Sequence, residues 1–306
     1  MSVAIETSAA TPPAEAVESD APNASFIEHW NGILTPKWLR FRHLLSSNGQ
    51  IHSDVAYPRL DIRRGHRVLD VACGFGETTL ELADRVGPLG NVLGVDCTRS
   101  FIEIAERERR IAGVSNVAYR LADIDRAQLP PRAFDSAVSR FGIMFCASPV
   151  RALRVIGGAL VPGGQVGLLA WRTLEHNPCW SIAEHVALSH LRPSGVAAKS
   201  CGPGPFSMGD LDTNRHIMDA AGFEDVTITQ LDASLCMGRT IQEATEYQMV
   251  LGPAGQVIRE AGEAGQRAAA NIQNELQAVL KSHQRGDGSV WLDSSTWLIS
   301  GRTARD

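Results

Sequence analysis

Short apolar runs alternate with longer amphipathic stretches from residue 66 onward. Runs of roughly four to eight apolar residues are typical of buried strands, and apolar residues spaced three and four apart are typical of helices that cover a sheet. The strands predicted in this part of the chain are 66–71, 92–96, 117–121, 134–139 and 165–171. The helices predicted between them are 77–86, 99–111 and 150–160. This alternation predicts a doubly wound, mostly parallel α/β sheet.

The pattern is less regular towards the C-terminus, where two more strands bring the predicted sheet to seven. These strands are 225–231 and 289–300. The predicted helices are 210–221, 240–251 and 258–282. The second of them begins with the capping pattern Thr240-x-x-Glu243. Segments outside the sheet are long enough to form helical caps over its carboxyl edge, where open α/β sheets bind ligands.

These patterns divide the chain into four segments. Residues 1–24 are rich in Ala, Pro, Glu, Ser and Thr and contain no Lys or Arg, so they carry too little apolar surface to offset the entropy of ordering. We expect this segment to be a disordered tail. Residues 25–60 are expected to form an N-terminal helical lid, and 61–171 a ligand-binding core. Residues 172–306 would supply the rest of the sheet and helical insertions that shape a pocket.

Charge and cysteine usage exclude several classes of function. The 306 residues include 29 Lys and Arg against 34 Asp and Glu, and the net charge of −5 gives no basic field for nucleic acid. The longest uncharged run, 155–171, is broken by glycines and is shorter than the roughly 20 residues of a membrane span. The six cysteines form no C-x-x-C pair, which argues against a metal site or a disulfide framework and predicts a cytoplasmic protein.

A strand that ends in a glycine turn and a helix is the first feature with chemical meaning. It spans Val68 to Gly76, and Asp96 ends the next strand. Dinucleotide-binding sites share this geometry, but their G-x-G-x-x-G pattern has a third glycine, and Thr79 stands there instead. Glu77 also places a negative charge where a pyrophosphate would bind. A cofactor with an ammonium group and no phosphate therefore fits better than NAD.

The same residues resemble the class I S-adenosylmethionine-dependent methyltransferases, and within them the ubiquinone/menaquinone C-methyltransferase-like group. In that family a hydrophobic strand with an acid precedes G-x-G-x-G, and here Ala72 replaces the first glycine. The resemblance covers 66–171. Its motifs are Val68 to Gly76, Val95-Asp96, Ala122-Asp123-Ile124, Phe134-Asp135 with Phe141-Gly142, and Leu160 to Gly164. It implies that the core 61–171 binds S-adenosylmethionine.

The resemblance implies roles for individual residues towards the methionine part of the cofactor. The turn residues Ala72, Cys73, Gly74, Phe75 and Gly76 would line it. Asp70 would assist the ammonium, directly or through water, and Arg140 would lie beside the sulfonium. The alternatives are helix capping for Asp70 and a structural ion pair with Asp135 or Asp123 for Arg140.

Further roles concern the nucleoside. Asp96 would accept hydrogen bonds from both ribose hydroxyls, and Asp123 from the adenine amino group. Ile124 would contribute a backbone contact, and Cys97 would pack on the ring. The alternative interpretation of both acids is a solvated residue at a strand end. The alternative for Cys97 is a residue that fills the core.

The resemblance implies a methyltransferase with a small organic acceptor, of natural-product or quinone/isoprenoid type. Methylation of oxygen, nitrogen or carbon remains open, as does a homodimer. A repurposed S-adenosylmethionine-binding protein, such as a cyclase, is one alternative. An NAD-dependent dehydrogenase is the other, and the missing third glycine argues against it.

Acceptor contacts and a base are harder to place. Trp30 and Trp38 on the lid, and Phe141 and Trp171 after the fourth and fifth strands, are predicted to contact the acceptor, with ordinary core packing as the alternative. His176 lies five residues after Trp171 and is the predicted general base, if the acceptor must lose a proton. Its alternative is a surface histidine.

Overall fold

A seven-stranded sheet forms the centre of the computed structural model, which describes residues 27–28, 30–191 and 203–305. The spatial order is β3-β2-β1-β4-β5-β7-β6. Strand β7 runs antiparallel to both of its neighbours, and the other six strands all run in the same direction. The strands are β1 Arg67–Val71, β2 Asn91–Asp96, β3 Val117–Leu121, β4 Phe134–Arg140, β5 Leu160–Trp171, β6 Glu224–Gly238 and β7 Val290–Arg302. The predicted doubly wound α/β sheet is confirmed. The predicted tail 1–24 lies outside the described residues.

Ten α-helices of the described residues surround this sheet. They are α1 Thr35–Arg40, α2 Arg42–Ala56, α3 Glu77–Val86, α4 Arg99–Ile111, α5 Pro149–Ala159, α6 Pro178–His190, α7 Leu211–Ala221, α8 Ile241–Leu251, α9 Pro253–Glu260 and α10 Gly262–Leu280. A π-helical turn, Trp30–Leu34, precedes α1. No helix in the described part of the chain is long and apolar enough to cross a membrane.

Side-chain caps fix where several helices begin. Thr240 accepts from the Glu243 amide at 3.1 Å, as its sequence pattern predicts. The Glu243 carboxylate bonds the Arg239 amide at 2.7 Å, one residue before the capping-box position. Asp210 caps α7 through the Thr213 amide at 2.8 Å. These caps fix where α7 and α8 begin.

Two predictions for the C-terminal part are wrong in their boundaries. The single helix predicted at 258–282 is two helices, α9 and α10, which meet at Gly262 with a left-handed φ of +54°. The strand predicted at 225–231 continues to Gly238, because β6 pairs with β7 along their shared length. The missed part, 232–238, is the more buried half of β6, but Asp232, Ser234 and Gly238 interrupt its apolar residues, so the sequence pattern ends at Leu231.

The N-terminal helices pack across the carboxyl edge of the sheet. Asn48 of α2 is buried and exchanges two hydrogen bonds with the backbone of Cys236 in β6, at 2.9 and 3.0 Å. Asn31 bonds the Cys97 carbonyl at 3.4 Å and the Arg99 amide at 3.1 Å, just after β2. The helices therefore contact the sheet on both sides of the edge where the motifs lie.

Candidate functional site

A cavity of about 900 Å³ opens at the carboxyl edge of the sheet beneath these helices. This size lies near the upper end of the roughly 300–1,000 Å³ of small-molecule sites. Most of the predicted site residues line it, namely Trp30, Trp38, Ala72, Cys73, Gly74, Phe75, Asp96, Cys97, Asp123, Ile124, Arg140, Phe141 and Trp171. Three predicted residues do not line it: Asp70, Gly76 and His176.

The glycine turn after β1 has an unusual backbone that shapes one wall of the cavity. Ala72, Gly74 and Gly76 have φ values of +56°, +54° and +86°, the left-handed region that favours glycine. A Cβ on Gly74 would meet no atom within 4 Å, so its main chain borders open space in the cavity. A Cβ on Gly76 would clash with the Tyr119 hydroxyl, so Gly76 serves the close packing of the turn.

Asp96 at the end of β2 is held by the turn that it faces. Its Oδ2 accepts from the Gly74 amide at 2.9 Å, and its Oδ1 accepts from the Thr98 amide at 2.8 Å. Burial raises the pKa of the Asp96 carboxyl, and these backbone bonds oppose that rise. Each oxygen keeps acceptor capacity, so the carboxylate can bind a pair of adjacent hydroxyl groups from the cavity.

Asp70 lies further down β1 and is buried. Its Oδ2 accepts from the Thr79 hydroxyl of α3 at 2.6 Å. Burial raises the pKa of Asp70 to about 7, against the opposing effect of this bond. The structure therefore places Asp70 as a link between β1 and α3, away from the cavity lining. Its bond goes to the Thr79 hydroxyl and not to a helix amide, so it is not a helix cap either.

The remaining predicted residues lie in the loops after β1, β2 and β3. Asp123 accepts from the Asp125 amide at 3.0 Å, and Ile124 lines the cavity beside it. Burial raises the pKa values of the thiols of Cys73, Cys97 and Cys146, which all line the cavity. These thiols stay protonated near neutral pH and act as packing groups.

Glu77 connects α2 to the start of α3. Its Oε1 accepts from Arg42 Nε at 2.9 Å and from the Ser46 hydroxyl at 2.9 Å. Arg42 also bonds Glu108 at 3.1 Å and lies over the ring of Phe75, 5.0 Å from its centroid. A carboxylate therefore occupies the helix start where a pyrophosphate would bind, which disfavours a dinucleotide.

Aromatic rings from the N-terminal helical segment 30–40 and from the core pack at the same end of the cavity. The centroids of Trp30 and Trp38 are 5.1 Å apart, and those of Phe75 and Phe101 are 4.5 Å apart. Trp30 also lies edge-on to Phe145 at 5.3 Å. Trp30 and Trp38 therefore line the cavity and also pack against rings of the core.

A second aromatic group lies at the ends of β4 and β5. Phe141 and Trp171 stack with centroids 4.4 Å apart and an interplanar angle of 14°. His52 of α2 packs edge-on to both rings, at 5.3 and 5.6 Å. His52 lines the cavity and was not predicted as a site residue, because α2 carries no motif and lies far from the glycine turn in sequence.

Arg140 lies beside this aromatic group. Its Nη1 donates to the Ser53 hydroxyl of α2 at 3.0 Å. A Cβ on Gly49 would lie 2.9 Å from the guanidinium carbon, so Arg140 fits against α2 because position 49 is glycine. The alternative of an ion pair between Arg140 and Asp135 is wrong, because Asp135 pairs with Arg67 at 2.9 Å.

His176 is exposed and bonds the Thr173 hydroxyl through Nδ1 at 2.7 Å. Leu174 of the same 3₁₀ turn lines the cavity. A 3₁₀ turn has three residues, so the side chain of His176, two residues later, points in a different direction from that of Leu174. The position of His176 therefore matches its surface alternative and does not suit a general base. No group of His, Cys, Asp and Glu in the described residues could hold a metal ion.

Comparisons with known proteins agree with this geometry. Residues 68–164 match the family model described as a methyltransferase domain. The ubiquinone/menaquinone biosynthesis C-methyltransferase UbiE of Citrobacter koseri is 32% identical over 187 residues, which cover 57% of this chain and 72% of that protein. UbiE of Photorhabdus laumondii is 28% identical over 194 residues, covering 61% and 77%.

Solved structures show the same fold. The YcgJ protein of Bacillus subtilis has a TM-score of 0.53 at 15% identity and covers 85% of this chain and 99% of its own. A crystal structure described as a putative methyltransferase from Bacillus halodurans has a TM-score of 0.52 at 14% identity, covering 82% and 98%.

Proposed function

From the premise that this chain belongs to the class I S-adenosylmethionine-dependent methyltransferases of the UbiE type, we propose that its acceptor is an aromatic or conjugated small molecule, such as a quinone-like or natural-product ring. The methyltransferase activity and the cofactor follow from the family. The acceptor class follows from the walls of the cavity. C-methylation of such a ring is the first reaction to test, because the UbiE relatives are C-methyltransferases.

The residues at the glycine turn fit S-adenosylmethionine. We assign the ribose hydroxyls to the buried carboxylate of Asp96, which the Gly74 and Thr98 amides hold in place. The open main chain of Gly74 would face the methionine part, and Cys97, Asp123 and Ile124 would border the adenine. The bound cofactor supplies an electrophilic methyl group on a sulfonium.

The observation that carries the acceptor class is the stacked pair of Phe141 and Trp171. The two rings stack on each other at the ends of β4 and β5, and both line the cavity beside Arg140, a proposed cofactor neighbour, so the outer face of the stack offers a flat apolar wall. Planar rings pack favourably by offset stacking or edge-to-face contact on such a wall. Trp180 and Tyr247 extend the aromatic lining towards α6 and α8, which gives room for a ring with a substituent.

The chain itself has a positioning task in this reaction. Methyl transfer is an in-line displacement, so the rate depends on alignment of the acceptor and on exclusion of water. We propose that the helices of residues 30–59 are the lid that excludes water, because Trp30 and Trp38 line the cavity while Arg42 holds Glu77.

Methyl-labelled S-adenosylmethionine, incubated with the protein and a panel of hydroquinones, phenols and amines, tests this function. We expect label in hydroquinone or phenol products, identified by mass spectrometry as C- or O-methylated. Trp171→Leu should raise the acceptor KM and leave cofactor affinity unchanged. Label found only in non-aromatic amines, or an unchanged acceptor KM in the variant, would contradict the proposed acceptor class.

A further inference from the structure

The hydrogen bonds around Ser294 fix the protonation pattern of His52. The Ser294 hydroxyl donates to the Ala233 carbonyl across the β6–β7 pair, at 2.8 Å. A hydroxyl has one proton, so its contact with His52 Nε2 at 3.4 Å requires the histidine to be the donor. The neutral ring therefore carries its proton on Nε2, and Nδ1 has a free lone pair.

The lone pair of Nδ1 is available to a ligand. Nδ1 has no hydrogen-bond partner among the described residues, and it is not one of their fully enclosed side-chain atoms that lack a partner. Because His52 lines the cavity and is otherwise buried, the open direction of Nδ1 is the cavity. Burial and the nearby charge of Arg140 lower the pKa of His52 to about 4, so the ring is neutral near pH 7.

Arg140 complements this acceptor atom with donors. Its guanidinium bonds Ser53 through Nη1 and forms no ion pair with a carboxylate of the described residues. It also lines the cavity. A neutral acceptor nitrogen and an unpaired cation thus lie beside the wall of Phe141 and Trp171. Together they match a hydroxyl group, which donates one hydrogen bond and accepts others.

We propose that His52 Nδ1 accepts a hydrogen bond from a phenolic or enolic hydroxyl on an acceptor that packs against Phe141 and Trp171. This inference rests on the proposed function and adds the chemical group by which the acceptor is recognised. A neutral ring buried beside a cation is a poor proton acceptor, so His52 would orient the hydroxyl without taking up its proton, and Arg140 would donate to the oxygen. The sequence-based candidate His176 has no such position.

Two substitutions separate the two nitrogen atoms of His52. In His52→Gln the side-chain amide can replace Nε2 as the donor to Ser294 but leaves no acceptor near Nδ1. In His52→Asn the amide oxygen can replace Nδ1 as an acceptor. His185→Gln on α6 is the matched control, because His185 is exposed and does not line the cavity.

Binding of two probes tests recognition without turnover. Tryptophan fluorescence would follow 2-naphthol and 2-methoxynaphthalene in the presence of S-adenosylhomocysteine. We expect wild type and His185→Gln to prefer the naphthol by about tenfold, the effect of one hydrogen bond of roughly 1.5 kcal/mol. His52→Asn should keep this preference, and His52→Gln should lose it. Equal binding of both probes by wild type would overturn the role of His52, whereas no binding of either would contradict the aromatic acceptor itself.

Turnover with a labelled phenolic acceptor tests the same hydrogen bond under catalytic conditions. The acceptor KM should rise by about tenfold in His52→Gln, the effect of one hydrogen bond of roughly 1.5 kcal/mol, and stay near the wild-type value in His52→Asn. Calorimetric titration with S-adenosylmethionine should give wild-type affinity for each variant and so report that it is folded. An unchanged acceptor KM in His52→Gln would show that the ring has only a packing role and would overturn the proposal.

Discussion

Ala72 and Gly142 fit together across the cofactor turn: a Cβ on Gly142 would overlap the Cβ of Ala72. Ala72 has a φ of +56°, which is unfavourable for a residue with a side chain. Because Gly142 has no side chain, there is space for the methyl group of Ala72. The departure from the family's first glycine is thereby matched by a glycine in the loop after β4.

Gly142→Ala should therefore destabilise the fold by about 1–3 kcal/mol, the usual cost of overpacking. The double variant Ala72→Gly/Gly142→Ala should recover most of this loss, because it removes the methyl group that causes the overlap. Urea unfolding of the four proteins in the cycle measures the coupling. If the double variant is as unstable as Gly142→Ala alone, the Ser139 hydroxyl, 3.0 Å from the same position, is the dominant obstacle.

The buried carboxyl of Asp70 should make stability fall as pH rises. Its pKa is about 7 in the fold, against about 3.9 in an unfolded chain, so the folded state binds more protons between these values. Asp70→Asn should remove this loss and keep an acceptor for Thr79. We expect its Tm to exceed that of wild type at pH 8 by several degrees, with about 2–4 °C for each kcal/mol, and the difference to shrink towards pH 4. Parallel Tm curves, as expected for the exposed control Asp84→Asn, would refute this.

The sequence predicts the sheet well and the acceptor half of the site poorly, for physical reasons. Strands β1 to β4 are short, and β1, β2 and β4 are mostly buried, so the limits of these strands fall within one residue of prediction. Most of the residues that we assign to the cofactor lie at the ends of these strands or just after them. His52 instead reaches the cavity because α2 packs across the sheet edge, a long-range contact that leaves no local pattern.

The contacts of Arg42 should couple the lid to the cofactor. Arg42 and Ser46 bond the same oxygen of Glu77, which begins the helix after the cofactor turn. We expect S-adenosylmethionine to slow hydrogen exchange in residues 30–45. Arg42→Gln should reduce this protection, and Arg110→Gln, an exposed arginine of α4, should not. Identical exchange with and without the cofactor would count against a lid.

His176 should prove dispensable. It is exposed and bonds Thr173 outside the cavity. His176→Ala should change single-turnover methyl transfer by no more than about twofold, the effect of a surface substitution within roughly 0.5 kcal/mol. A loss of 10²-fold or more would restore His176 as the base.

The most direct measurement of the site is calorimetric titration of the wild type, Asp96→Asn and Asp96→Ala with S-adenosylmethionine, S-adenosylhomocysteine and NAD. The wild type should bind the first two and not NAD. Hydrogen bonds to a charged group contribute about 1.5–3 kcal/mol, so Asp96→Ala should weaken binding by roughly 10- to 150-fold. Asp96→Asn, which keeps one acceptor oxygen, should lie between, and the exposed control Asp84→Ala should match the wild type. Unchanged affinity in Asp96→Ala, or NAD binding as tight as that of S-adenosylmethionine, would contradict the assignment of this carboxylate to the ribose.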